Sequence, residues 1–461
     1  MRRTIHYLSG ETPFHKIRGE DQTRFPRLLL FLSGFMIALF NPTHSHAQAG
    51  FVREGVGPIN QSMGGATVAN PLEASGTLYW NPAGISFLKS QTCVGVDILR
   101  PEIRLSSRVD AGAIGVGKPS TNQSGSTDSR TATIPFPSFG MVHRMVDSRW
   151  TFGIGAYVMG SGVNYPADAG NPILSPQSPN GIGLGRLFTN FILAQIAPTV
   201  SYQFTDHLSV GISPTINWVY FHLNPYGLGS PDDADQDGTK RYPVGASADN
   251  NWGFGLQAGV YYSPGDWQFG ASLKSPQKFG EFQISASDER GGDRQFRYKL
   301  DYPLIGSIGV GYSGLDRTRF AVDVRYIDFE NTEGVGGTAE YRPDGSVTAP
   351  GWRSIFLVAA GVQRELTDKI SVRLGYTYNQ NPVRSRDSFF DTVAPGIVQH
   401  HASTGLTYKV ANDVDFSVAY THAFQNTIEG PYVTPSGPVP ATSVQNALSI
   451  DILSVGVTIR H

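Results

Sequence analysis

The sequence WGFGLQAGVYY, residues 252–262, carries large apolar side chains at every second position. Such a period of two indicates a β-strand whose two faces meet different surroundings. The same alternation recurs on both sides of this stretch, including residues 208–218, 320–326 and 370–378. We therefore predict an all-β chain of about fourteen antiparallel strands.

The composition of the chain favours a membrane-embedded barrel over a soluble fold. Charged residues make up 16% of the chain, well below the roughly 25% of soluble proteins. Hydrocarbon offers no partner for free backbone N–H and C=O groups, so strands cross a membrane only as a closed barrel. Aromatic residues near strand ends, such as Trp218, Trp267 and Tyr378, fit the aromatic girdles of such barrels. The predicted fold is thus a transmembrane antiparallel β-barrel.

The N-terminal region has the features of a secretion signal. Arg24 and Arg27 precede an apolar run over residues 28–40, and the following HAQA of residues 46–49 fits a small-x-small cleavage site. The apolar run is shorter than the roughly 20 residues of a membrane-spanning helix. We predict a signal peptide region over 1–49, an N-terminal hatch or plug over 50–91 and a barrel over 92–461. Secretion and a barrel together place the protein in a bacterial outer membrane.

Tight and long connections alternate along the predicted barrel. Turn-forming residues stand at 204–207, 263–266 and 366–369, where short periplasmic turns are expected. The longer links are rich in Pro, Gly, Ser and Asp and would face outside. Seven such long links imply fourteen strands. They cover approximately residues 110–134, 160–190, 223–250, 287–293, 331–351, 380–398 and 425–447.

The segment 50–91 precedes the first predicted strand and is rich in Gly, Asn, Ser and Ala. A barrel of about fourteen strands encloses a lumen wide enough to pass small polar solutes unless something fills it. We therefore expect this segment to lie inside the barrel as a plug. A disordered periplasmic tail is the alternative.

Two motifs stand out in this segment: residues 64–66 are GGA, and residues 79–84 are YWNPAG. Here the chain resembles the FadL family of outer-membrane long-chain fatty acid and hydrocarbon transporters, whose hatch motif is the Asn-Pro-Ala triplet. Pro82 fixes φ and lacks a donor, while Asn81 can bond nearby backbone, so the triplet suits a fixed turn. Later blocks at 251–255, 272–275 and 373–383 extend the resemblance over most of the mature chain.

The resemblance implies passive, hatch-gated diffusion of hydrophobic molecules, long-chain fatty acids first and aromatic hydrocarbons as the alternative. It implies that Asn81, Pro82 and Ala83 anchor the hatch while the residues from Phe51 onward shift. Hydrophobic small molecules and the lipid and lipopolysaccharide of the outer membrane are the expected partners. Glycines would supply the backbone freedom for the shift; the candidates are Gly55, Gly57, Gly64 and Gly65.

A fatty carboxylate would need a cation on the lumen face of the barrel. Arg325 and Arg373 lie on the predicted lumen faces of their strands, so either could bind a carboxylate. They could equally pair with lumen carboxylates such as Asp323. Lys274 matches a basic position in a block of the resembled family. The ligand-binding candidates are therefore Phe51, Lys274, Arg325 and Arg373, although a neutral hydrocarbon would need none of the three cations.

Several other functions find little support. The net charge of -2 gives no basic surface for nucleic acid, and Cys93 is a single cysteine. Residues 233–238, DADQDG, match the start of a calcium loop, but Val244 stands where a bidentate Glu is required. We expect no metal, no cofactor and no enzymatic activity. A general porin with an open, charged lumen remains an alternative, and a barrel hydrolase is the least favoured one.

Overall fold

The computed structural model describes residues 51–461 except 225, 226 and 228, so the predicted signal peptide lies outside the described residues. Fourteen antiparallel strands form a single barrel wall. They are β1 Gln91–Val109, β2 Ile134–Arg144, β3 Trp150–Tyr165, β4 Leu187–Gln203, β5 Leu208–Asn224, β6 Asp249–Tyr262, β7 Trp267–Lys274, β8 Ile305–Leu315, β9 Thr318–Ile327, β10 Ile355–Glu365, β11 Ile370–Asn379, β12 His400–Lys409, β13 Val414–Gly430 and β14 Thr442–Arg460.

The first strand closes the wall by pairing on both of its edges. Along one edge β1 pairs with β14, from Gln91 opposite Arg460 to Val109 opposite Thr442. Along the other edge it pairs with β2, from Gln91 opposite Val142. Each remaining strand pairs with its neighbours in chain order. The prediction of a closed fourteen-strand barrel is confirmed.

Exposure alternates along the strands as the sequence pattern predicts. On β6, Trp252 is 56% and Phe254 62% exposed, whereas Gln257 is buried. On β9, Phe320 and Val322 are exposed, whereas Ala321 between them and Asp323 after them are buried. The exposed apolar face meets lipid and the buried, more polar face lines the lumen.

Short and long connections lie at opposite ends of the barrel. The short ones are 145–149, 204–207, 263–266, 316–317, 366–369 and 410–413, and we call their side the turn end. The other side is the loop end, where the longer loops contain the short strands Gln123–Asp128, Lys278–Phe279, Phe282–Ser287, Asp293–Tyr298, Val433–Thr434 and Gly437–Pro438 and the 3-10 turns Ser385–Asp387 and Phe390–Val393.

The N-terminal segment, residues 51–90, folds into three short helical pieces: α1 Gly57–Ser62, α2 Ala74–Trp80 and the 3-10 helix Pro82–Phe87. The Glu73 carboxylate caps α2 by accepting hydrogen bonds from the N–H groups of Ser75 and Gly76 at 2.6 and 2.7 Å. Nearly every residue from 51 to 86 is buried. Among the described residues, no helix has the length and apolar character needed to cross a membrane.

A belt of glycines on the lumen face brings the wall close to the N-terminal segment. A methyl group added at Gly375 would lie only 2.5 Å from the carbonyl carbon of Met63, and one at Gly140 only 2.7 Å from the backbone nitrogen of Ser75. Wall and segment therefore touch through their main chains. This glycine belt comprises Gly95, Gly140, Gly153, Gly211, Gly259, Gly270, Gly309, Gly311, Gly361, Gly375, Gly405 and Gly456.

Candidate functional site

The Asn-Pro-Ala triplet attaches the N-terminal segment to three neighbouring strands. The Asn81 side-chain amide donates to the carbonyls of Val68 and Val260, at 2.8 and 3.0 Å. Its side-chain oxygen accepts the Ala83 N–H at 3.1 Å and so caps the 3-10 helix. The Ala83 carbonyl accepts hydrogen bonds from Ser201 of β4 and Ser209 of β5. Because β4 and β5 meet at residues 204–207, the triplet lies toward the turn end.

Two of the glycines predicted to supply flexibility are held in fixed positions. Gly64 and Gly65 have φ of 64° and 81°, which side chains other than glycine rarely adopt. The Gly64 N–H donates to the Ser403 hydroxyl at 3.2 Å, and its carbonyl accepts from the Thr377 hydroxyl at 2.6 Å. Glycine is required here for backbone conformation and close contact with the wall.

Arg325 of β9 binds the N-terminal segment rather than facing open lumen. Its guanidinium pairs with Asp323 at 3.0 Å and donates to the carbonyls of Glu54, at 2.9 Å, and Gly65. Asp323 also accepts the N–H groups of Thr67 and Val68. Both side chains are fully buried. The pair therefore connects the wall to two stretches of the segment, and its nitrogens are largely occupied.

Phe51 lies in a cage of four aromatic rings. The ring centroids of Phe191, Tyr302, Phe329 and Trp352 lie 5.4, 5.5, 5.6 and 5.7 Å from that of Phe51. Trp352 stacks on Phe51 at an interplanar angle of 26°, and the other rings are tilted or edge-on. These are favourable distances for aromatic pairs. The cage thus encloses a space that holds one benzene-sized ring and is lined by aromatic side chains.

A second cluster of aromatic residues, Tyr79 and Trp80, adjoins the cage and contacts a buried cation. The hydroxyls of Tyr79 and Tyr302 lie 3.5 Å apart. Lys274 Nζ stands 3.9 Å from the ring centroid of Tyr79 and, among the described residues, has no hydrogen-bond partner. The guanidinium of Arg325 lies 3.4 Å from the ring centroid of Trp80. Lys274 is therefore a buried cation in contact with Tyr79, whose hydroxyl lies beside that of the cage residue Tyr302.

Arg373 lies apart from these groups. Its guanidinium donates to Gln363 at 2.7 Å and to Thr407 at 2.8 Å. Both partners stand near the turn end of their strands, close to the 366–369 and 410–413 turns. The structure thus brings Phe51, Lys274 and Arg325 around one group of aromatic residues and leaves Arg373 outside it.

The barrel wall has a gap between β2 and β3. The two strands pair from Arg144 opposite Thr151 to Ser138 opposite Tyr157 and no further. Beyond that point residues 158–163 pair with β4 alone. Pro135 and Pro137 remove two N–H donors from β2 at this position, so it cannot continue the ladder. Contacts between Arg130 and Asn164 mark the end of the gap toward the loops.

The loop 380–399 covers the cage at the loop end. The indole N–H of Trp352 donates to Asp391 at 2.8 Å. The second carboxyl oxygen of Asp391 is buried and has no partner among the described residues. Burial therefore raises the pKa of Asp391 well above its usual value. Through the bond between Asp391 and Trp352, the loop 380–399 is attached to one ring of the cage.

The acidic loop at residues 233–237 contains its own cation. Asp233, Asp235 and Asp237 have carboxylate oxygens within 4.8 Å of one another. Arg241 donates to Asp235 at 2.9 Å and also bonds Asp237. Glu289 lies 3.5 Å from the same guanidinium. Arg241 thus pairs with two of the three aspartates.

The sequence did not point to the four rings around Phe51. Tyr302, Phe329 and Trp352 lie in connections beyond the strands, so no strand periodicity applies to them. Phe191 lies on β4 among other apolar residues. The glycine belt did leave a signal, because glycines inside strands often mark close approach of another main chain.

The fold and the filled lumen define a class, the outer-membrane β-barrels that carry a segment inside the barrel. The chain belongs to the outer membrane protein transport protein family (OMPP1/FadL/TodX), whose model matches residues 54–457. It is therefore an outer-membrane protein of a family that transports hydrophobic small molecules, and this is not a family of enzymes.

Individual relatives agree with this assignment. A Neisseria meningitidis serogroup B protein named "Putative outer membrane protein NMB0088" is 23% identical over an alignment of 403 residues that covers 79% of this chain and 84% of that one. The crystal structure of a Pseudomonas aeruginosa FadL homologue has a TM-score of 0.68 at 15% identity, covering 89% of this chain and 99% of that chain. The Pseudomonas putida toluene transporter TodX has a TM-score of 0.64 at 17% identity, covering 89% and 100%. These structures share the fold.

Proposed function

We propose that this chain is a passive channel for small aromatic hydrocarbons, gated by its N-terminal segment. The segment fills the lumen and is bonded to the wall through Asn81, Gly64 and Arg325. A porin with an open, water-filled lumen would not contain such a segment. The segment would therefore act as the hatch, with most of it fixed and its first residues moving.

The observation that carries the substrate class is the Phe51 cage. Phe51 presents a benzyl group, and the four surrounding rings make the contacts that a benzene or toluene molecule would make. An aromatic ligand would bind by replacing Phe51 in the cage. Two of the structurally similar proteins are toluene transporters, from Pseudomonas putida and Ralstonia pickettii, which supports the same class.

The proposed path has three parts. A ligand would enter between the loops that cover Trp352, bind in the cage, and leave sideways through the gap between β2 and β3. The gap lies in the wall and so adjoins lipid, where an apolar molecule is more soluble than in the aqueous periplasm. Diffusion down a concentration gradient is sufficient for such a path.

Uptake by whole cells tests the proposal. Cells lacking their own hydrophobic transporter would carry the intact chain, a Trp352→Ala variant or a Trp252→Ala control, and would be given labelled toluene and oleate. Trp252 is an exposed residue of the lipid face and lies outside the cage. We expect toluene uptake with the intact chain and the control, and a clear loss with Trp352→Ala. Absence of uptake of both compounds would contradict the proposed function.

A long-chain fatty acid is the second candidate, because of Lys274. This cation is 2% exposed and has no hydrogen-bond partner among the residues described, so a carboxylate entering the aromatic group would supply one. Lys274→Met would then abolish oleate uptake and leave toluene uptake intact. Lys278→Met serves as the control, because Lys278 is exposed and already pairs with Asp301.

A further inference from the structure

Arg53 connects the two sides of the gap in the barrel wall. Its guanidinium pairs with the carboxylate of Asp97 on β1 through Nη2. Through Nη1 it donates to the carbonyl of Val158 on β3, at 3.1 Å. Arg53 is 1% exposed and Asp97 is fully buried. One side chain of the N-terminal segment thus bonds strands on both sides of β2.

The two partners lie at the edges of the gap. Asp97 is in register with Phe136, a residue of β2 beyond its last pairing with β3. Val158 is the first residue of β3 past that pairing. The Phe136 ring lies 5.9 Å from the Arg53 guanidinium. Arg53 therefore replaces, with side-chain bonds, the ladder that β2 and β3 no longer form.

We propose that Arg53 is a positioning residue that holds the wall gap closed, and that a ligand replacing Phe51 in the cage opens the gap by drawing Arg53 away. This coupling rests on the proposed function for the ligand, but the closing role of Arg53 does not. One side chain thus links the ligand site to the exit.

The chain between the cage and the gap is short enough to transmit the movement. Two residues span at most about 7 Å, so a shift of Phe51 by the width of a ring also moves Arg53. The residues that follow are held by the wall and by the segment itself: the Glu54 carbonyl accepts from Arg325 at 2.9 Å, and the Val56 N–H donates to Asn60 at 3.0 Å. The moving part therefore ends at Arg53.

The pair between Arg53 and Asp97 is suited to release because it is incompletely satisfied. Arg53 Nε and Asp97 Oδ1 are buried and have no hydrogen-bond partner among the described residues. Burying charges with unmade hydrogen bonds offsets much of their mutual attraction. A pair with all of its hydrogen bonds made would hold the gap more firmly.

Labelling of a cysteine at the gap tests this role without measuring transport. In a Cys93→Ser background, Val158→Cys leaves the backbone carbonyl in place, and the 5% exposure of Val158 predicts slow reaction with a lipophilic maleimide in liposomes. We expect Arg53→Met to speed labelling at least about tenfold, the factor that corresponds to 1.4 kcal/mol. Arg100→Met, which removes an exposed arginine of β1, is the matched control.

The outcomes separate the two proposals. Equal labelling rates in Arg53→Met and Arg100→Met would overturn the role of Arg53, whatever the uptake assay gives. The double variant Arg53→Met/Asp97→Leu replaces the pair by apolar groups and keeps the test valid if the single variant folds poorly; it should label as fast as the single variant. Toluene should also accelerate labelling of the Cys93→Ser/Val158→Cys protein that retains Arg53. No acceleration at saturating toluene would overturn the coupling.

Discussion

Removal of the Phe51 ring should strengthen binding of an aromatic ligand. In the closed channel Phe51 is only 8% exposed and touches four rings. Truncating a buried Phe to Ala costs about 3–5 kcal/mol of its packing. That packing energy holds Phe51 in the cage, and a ligand must displace Phe51 in order to bind. A loss of about 3 kcal/mol would therefore lower the apparent Kd by up to about 100-fold.

The measurement is a titration of the purified protein in nanodiscs with 4-fluorotoluene, followed by fluorine NMR. Phe51→Ala is compared with the unsubstituted protein and with Phe87→Ala. Phe87 belongs to the same segment and packs on Tyr261 at 4.6 Å, outside the cage. We expect tighter binding only for Phe51→Ala. An apparent Kd that stays the same or rises in that variant would refute the idea that Phe51 competes with the ligand.

Three further predictions concern the contacts of Asp323 and Gly375 with the N-terminal segment and the loop 380–399. Asp323→Ala leaves its buried arginine partner unpaired, so it should cost about 3–5 kcal/mol and lower the unfolding temperature, whereas the exposed Asp316→Ala should not. Gly375→Ala should displace the N-terminal segment and let labelled sugars leak into cells; Gly306→Ala, whose added methyl would meet one side-chain atom at 3.9 Å, should not leak. Because burial raises the pKa of Asp391, the folded carboxyl keeps its proton to a higher pH than the unfolded one, which ionises above about pH 4; stability therefore falls as pH rises through this range. Asp391→Asn should therefore protect the loop 380–399 from proteolysis more at pH 7.5 than at pH 4.5; an equal effect at both would contradict the assignment.

The barrel could be predicted from sequence because one rule acts at every strand. Lipid on one side and a filled lumen on the other impose a period of two, and Trp252 and Phe254 on β6 follow it closely. Turn-forming residues at 263–266 and 366–369 mark the ends of strands for local reasons. Both signals are contained in short stretches, so the strand count and the inward positions of Asp323 and Arg325 followed from them.

The cage and the gap depend on contacts between distant parts of the chain. Phe51 meets Trp352 across some three hundred residues, and nothing in the spacing of either residue indicates the other. Arg53 meets Asp97 because the segment turns back into the lumen, a path that no periodicity describes. The prediction that Arg325 binds a ligand rested on its lumen position alone, whereas its partners are the Asp323 carboxylate and two backbone carbonyls of the segment.

The glycine belt also determines what this barrel becomes when emptied. At its level many strands of the wall present main chain to the N-terminal segment. A chain lacking residues 51–88 would therefore have an inner diameter set at that level largely by the backbone itself. For engineers of nanopores, such a ring is a sensing zone of known chemistry, into which a single side chain could be introduced at a chosen strand.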